Sequence, residues 1–145
     1  MIEGENQQSE VAMATIVVGY IDNPPGNRAL DLAIEEARHR NATLIAVHSL
    51  RGGQQTTPEE IQASREAMGR VEARLASEDI TSEVETFVRG QAPSEDLLQV
   101  TAERGASLIV VGYQKRSTTG KLLLGSTPLA VMLGAKCPVL AVSTS

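Results

Sequence analysis

The sequence predicts an α/β protein: a doubly wound, five-stranded parallel sheet with helices on both faces. Two observations carry this. Short β-branched apolar runs alternate along the whole chain with longer segments whose apolar residues fall at helical spacing. Several of those runs are apolar at every position, as strands are when both faces of a sheet are covered. A chain of 145 residues suits one such domain and is long enough to bury a core without metal or disulfide support.

Thr15 to Tyr20 (TIVVGY) opens the pattern as a buried strand. After the turn signal Asn23-Pro24-Pro25-Gly26, the residues Leu30, Ala33, Ile34 and Ala37 mark a helix that stops near Asn41. Thr43 to Leu50 is the second strand, and a Gly-Gly-Gln-Gln-Thr-Thr loop follows it. Pro58 suits the first turn of a long helix reaching about Asp79, with Ile61, Met68, Val71 and Leu75 on one face. Thr81 to Val88 alternates as a third strand, and Ser94, with Glu95 and Asp96 behind it, starts a third helix ending near Arg104. Ser107 to Gly112 is the fourth strand, Leu129, Met132 and Leu133 line the fourth helix, and Val139 to Val142 closes as the fifth strand. Parallel strands joined this way need right-handed helical crossovers. Ligands of such sheets bind beyond the carboxyl ends of the strands, where strand order reverses.

Residues 1–12 are polar and acidic without periodicity and are expected to form a disordered or arm-like extension, with residues 13–145 as the single domain. A formal charge of −5 argues against general affinity for nucleic acid or an anionic membrane. The lone Cys137 allows no intrachain disulfide, and no zinc-ligand spacing occurs. No apolar run approaches the length of a membrane span, so a soluble cytoplasmic protein is the expectation.

The charge is uneven. Between Gly112 and Thr127 lie Lys115, Arg116 and Lys121 and no acid, leaving ten cations against eighteen acids elsewhere, a balance of −8. A cationic loop before a helix start suggests an anion site, and it reads equally as a solvated loop. It is not a P-loop: Lys115 stands where that motif needs glycine and Leu122 where it needs serine or threonine. Ser126-Thr127-Pro128 could present backbone N–H groups and hydroxyls to an anion, or simply cap the helix. Leu122 to Leu124 are expected to pin the loop against the sheet edge or a second copy of the chain.

The segment from Thr15 to Ala37, RGQAPSEDLL from Arg89, SLIVVG from Ser107, and GKLLLGST followed by KCPVLAV together resemble the universal stress protein family, from about Met13 to the end. The resemblance implies a Rossmann-like sheet, a homodimer through the last strand and a role in stress survival rather than dedicated catalysis. It also implies binding of ATP or AMP through Gly-x-x-Gly, nine residues, then Gly-Ser/Thr. Gly112 takes the first glycine of that motif and Gly125-Ser126 the closing pair, with Thr127 next to it. Lys115 occupies the second glycine position, where glycine would permit positive φ or close approach to phosphate. Arg116 beside it could supply charge in place of a glycine backbone. The implied pocket walls include Val47 and Val111. The resemblance also implies an aspartate just beyond the first strand that contacts the ligand's ribose or adenine side; Asp22 stands one residue displaced from that position, and its other reading is a turn former with Asn23.

Catalytic constellations are thin. His48 at a strand end reads as a hydrogen-bonded structural residue, His39 as solvent-facing, and Cys137 before Pro138 as packing. No Gly-x-Ser-x-Gly elbow or His-Glu-x-x-His occurs. Two functions stand: a stress-response protein binding an adenine nucleotide, and a nucleotide-independent dimeric interaction module of the same fold. Slow ATP hydrolysis ranks behind both.

Overall fold

The computed structural model describes residues 14–50, 56–88, 91–114 and 125–144. Strand β1 (Thr15–Gly19) is followed by helix α1 (Pro24–Arg40), β2 (Thr43–Leu50), α2 (Pro58–Ser77), β3 (Ser82–Val88), α3 (Pro93–Arg104), β4 (Leu108–Gly112), α4 (Ser126–Gly134) and β5 (Val139–Val142). All five strands are parallel and run in the order β3-β2-β1-β4-β5. The chain therefore winds outward from β1 through β2 to β3, then returns to place β4 on the other side of β1. The doubly wound α/β fold expected from the sequence is the fold observed.

Local chemistry fixes most helix ends. Asn23 caps α1 by accepting the Gly26 N–H at 2.8 Å, and Pro24 and Pro25 occupy positions where a missing N–H costs nothing. The helix stops at Asn41, which takes the left-handed conformation (φ 51°), after a last turn carrying Arg38, His39 and Arg40 at the negative end of the dipole. Thr57 caps α2 through its hydroxyl, 3.1 Å from the Glu60 nitrogen. Ser94 does not cap α3. Pro93 takes the first helical position and Ala92 the cap, so Ser94 lies inside the first turn and is buried.

The core has two halves, one on each face of the sheet. Ile16, Val18, Leu44, Ala46 and Val110 meet Ala33 and Ile34 of α1 and Met68, Val71 and Leu75 of α2. Val17, Ile45, Ile109 and Val111 meet Leu97 and Val100 of α3 and Val131 of α4. Alternation along each strand deals its residues to the two halves. Each fully buried Val, Leu or Ile contributes about 1.5–3 kcal/mol relative to exposure.

Helix α4 is marked in the sequence by Leu129, Met132 and Leu133, and the structure turns these residues outward. Pro128 and Val131 are its buried residues, while Leu129, Met132 and Leu133 are 49%, 46% and 80% exposed. The nine-residue helix is apolar around most of its circumference, so spacing does not select the inward face. Ile61, in the first turn of α2, is only partly buried, while Met68, Val71 and Leu75 further along enter the core.

Candidate functional site

The reversal of strand order falls between β1 and β4, and a cavity of about 300 Å³ opens at their carboxyl ends. Its floor is Gly19 of β1 and Tyr20 directly after it, Val47 to Ser49 of β2, and Val111 and Gly112 of β4. The walls come from loop residues Ile21 and Asn23 and from the first turns of three helices: Pro25 and Gly26 of α1, Pro93 and Leu97 of α3, and Thr127 and Pro128 of α4. Parallel crossovers bring helix starts to this end of the sheet, so backbone N–H groups and positive dipole ends gather around one apolar slot.

The junction of α1 with β4 is unusually close. A Cβ on Gly26 would lie 1.8 Å from the Ile21 carbonyl oxygen, and one on Gly112 would lie 2.4 Å from that of Pro25. Glycine at 112 is thus required by contact between two pieces of backbone, whatever the cavity holds. Gly125, the cap residue of α4, has φ 83° and makes no side-chain cap hydrogen bond, having no side chain to make it with. The first-turn N–H groups of α4 therefore receive no side-chain acceptor from the cap residue. By contrast, the Gly26 N–H of α1 is already committed to Asn23.

Polar groups at the β1 and β2 ends form a second layer. The His48 ring is buried, and its Nδ1 donates to the Tyr20 carbonyl oxygen at 2.9 Å, which leaves Nε2 as the acceptor of the neutral tautomer. Nε2 is buried and has no hydrogen-bond partner among the described residues. The Tyr20 hydroxyl sits 2.7 Å from Asn27 Oδ1 and 3.3 Å from Asp22 Oδ1. Burial, followed by the adjacent Asp22 charge and hydrogen bond, pushes the Tyr20 phenol above its ordinary value. Asp22 Oδ2 in turn accepts from Arg70 at 3.1 Å.

Of the residues expected at a site, Val47, Val111, Gly112 and Thr127 line the cavity. Gly125 and Ser126 are exposed at the start of α4 beside it. Asp22 is not in the lining; it points to Arg70 and Tyr20, while Ile21 and Asn23 on either side of it face the cavity. Lys115, Arg116, Lys121 and Leu122 to Leu124 lie outside the described residues. His48 is hydrogen-bonded as its position suggests, His39 is exposed, and Cys137 is half-buried against the α3 side of the core, burial pushing its thiol up.

Sequence reasoning missed Tyr20, Ile21, Pro93, Leu97 and Gln114 as lining residues. Tyr20 and Ile21 directly follow the first strand and could have been found from that alone. Leu97 carries no comparable signal, because it reaches the cavity only through the packing of α3 on Gly19, where a Cβ would meet Leu97 Cδ2 at 3.0 Å.

Comparison with known proteins fits this architecture. The chain is 34% identical over 127 residues to a universal stress protein of Mycolicibacterium smegmatis, covering 88% of this chain and 95% of that one. It superposes on the universal stress protein of Archaeoglobus fulgidus in complex with dAMP with a TM-score of 0.71 and 30% identity, covering 90% and 97% of the two chains. A universal stress protein in complex with cAMP matches with a TM-score of 0.70 and 30% identity, covering 92% and 98%. Residues 13–143 match the universal stress protein family, and the chain belongs to it.

Proposed function

We propose that this universal stress protein binds an adenine nucleotide, such as AMP or ATP, in the cavity at the carboxyl ends of β1 and β4. The observation that carries the reading is an apolar slot of about 300 Å³ beside the start of α4, whose first-turn N–H groups lack a side-chain cap. An apolar slot takes the faces of a purine, and a helix start takes phosphate. Two relatives of the same fold, solved with dAMP and with cAMP, support the choice of an adenine ligand. In the sequence Lys115, at the position of the motif's second glycine, and Arg116 beside it offer positive charge in place of a glycine backbone. The protein acts as a cytoplasmic stress-response regulator, not a dedicated enzyme.

The test is calorimetric titration of the full chain with AMP and ATP, with and without magnesium, alongside thermal unfolding. Binding to the native state must raise the midpoint. No heat and no shift at millimolar ligand would sink the reading. The competing reading, an interaction module that needs no nucleotide, draws support from the absence of any Asp, Glu, Lys or Arg side chain among the described lining residues. Nucleotide recovered by mass analysis from freshly isolated, denatured protein counts against that alternative.

The protein is a homodimer through β5 in this proposal. β5 is an edge strand, Leu140 on it is 37% exposed, and the exposed Leu129, Met132 and Leu133 of α4 lie on the neighbouring element. An apolar edge of this kind is a template for pairing with a second copy. Sedimentation of Leu140→Lys should report a shift toward monomer, and an unchanged profile rules out β5 as the contact.

A further inference from the structure

The loop from β1 to α1 turns its one carboxylate away from the cavity. Ile21 and Asn23 line the cavity, and Asp22 between them does not. Both Asp22 oxygens are engaged: Oδ2 by Arg70 of α2 at 3.1 Å, and Oδ1 by the Tyr20 hydroxyl at 3.3 Å. The backbone beneath is closely held. The Asn23 N–H donates to the Ile21 carbonyl at 2.8 Å, the Asn23 side chain caps α1, and Gly26 packs against Ile21 too tightly to admit a Cβ. With the backbone so fixed, the direction of the Asp22 side chain is decided by Arg70 and Tyr20.

The consequence for recognition concerns sugar hydroxyls. A carboxylate at a strand end is the group that accepts hydrogen bonds from a ribose, and a site built around such a bond rejects the analogue that lacks the hydroxyl. Here the described cavity lining offers no carboxylate; the Tyr20 hydroxyl is directed at Asp22 and Asn27, and the Asn23 oxygen is committed to Gly26.

We infer that Arg70 is a positioning residue of this site: by clasping Asp22 outside the cavity it leaves the sugar unread, so ribo- and 2′-deoxyribonucleotides of adenine bind alike. This rests on the adenine-nucleotide reading above. Arg70 is itself 64% exposed in its side chain and sits on the outer face of α2, so its removal leaves the core intact.

The experiment is calorimetric titration of the full chain with AMP and with 2′-deoxy-AMP, for the wild type, Asp22→Asn, Arg70→Ala and the double variant. Wild type and Asp22→Asn should bind the two ligands within about threefold of each other. Arg70→Ala, which frees the carboxylate to turn inward, should favour AMP by about fivefold or more, and Asp22→Asn in that background should erase the preference. A merely structural role for Arg70 would weaken both ligands together and leave their ratio unmoved, which overturns the inference. So does a wild-type preference for AMP of about tenfold or more, a result that leaves the adenine reading standing. If neither ligand binds, the adenine reading falls and this inference falls with it.

Discussion

The contact between Gly112 and the start of α1 makes a quantitative test of how the site is built. A methyl group on Gly112 would lie 2.4 Å from the Pro25 carbonyl oxygen, 2.6 Å from its carbon and 3.0 Å from the Gly26 nitrogen. All three atoms are backbone, and they belong to the turn that Asn23 caps, so no flexible side chain can yield. Relief requires moving α1 away from β4. Overpacking of this kind costs about 1–3 kcal/mol, and with backbone on both sides Gly112→Ala belongs in the upper part of that range. For a domain of this size a loss of about 2–3 kcal/mol lowers Tm by roughly 6–12 °C. Urea unfolding should show a lower midpoint with an unchanged slope, since the surface exposed on unfolding is the same. Gly69→Ala is the internal control: it lies exposed on α2 with nothing within 4 Å of the added carbon, and should gain about 0.5–1 kcal/mol through helix propensity. A loss below about 0.5 kcal/mol for Gly112→Ala would refute the packing argument and return Gly112 to a purely ligand-directed role.

Two further outcomes follow from the electrostatics. In a Tyr113→Phe background, the remaining tyrosine, Tyr20, should ionise above its ordinary value, and Asp22→Asn should bring the midpoint part of the way back, the burial contribution remaining. Because the folded state holds that proton more tightly than the unfolded chain, stability should fall as pH rises past about 10, where the unfolded phenol ionises first; an ultraviolet titration insensitive to Asp22→Asn would contradict the clasp. On the β3 edge, the Arg104 hydrogen bonds hold the Glu83 carboxyl below the usual carboxylate range. Its stabilisation is therefore present above the unfolded value and lost as pH falls through the folded one. Glu83→Gln should cost no more than about 1 kcal/mol at neutral pH, as exposed pairs do, with the gap to wild type closing in acid; a gap independent of pH would assign the loss to something other than charge.

Much of the fold was legible because its signals are local. A run such as Leu44 to Val47, apolar at four successive positions, belongs inside a covered sheet, and Asn23-Pro24-Pro25 or Thr57-Pro58 state a helix start within a few residues. The third helix was misjudged by one residue because Ser94 looks like a cap, yet Pro93 before it supplies the fixed φ that starts the turn. For the fourth, spacing locates the helix without choosing its buried face. Leu129, Met132 and Leu133 are as apolar as Val131, and only the position of Gly134 against Leu98 and of Val131 against the sheet decides which side is buried.

The site divides the same way. That Val47, Val111, Gly112 and Thr127 would stand at one end of the sheet follows from their places at strand ends and at a helix start. Asp22 illustrates the opposite case. Its number in the chain puts it in the right loop, but its direction depends on Arg70, 48 residues later on another helix, and no local pattern announces that pair.

By itself, then, the sequence determined the class of fold, the succession of strands and helices, and the end of the sheet where ligands gather, since each rests on periodicity or turn chemistry over a few neighbouring residues. Only the tertiary structure decided that the walls around Gly112 are set by a backbone contact with α1, that α4 turns three large apolar residues outward, and that the loop's carboxylate is drawn off the cavity. Those outcomes depend on which distant segments are brought into van der Waals and hydrogen-bonding range, and that is settled by the packing of the whole chain.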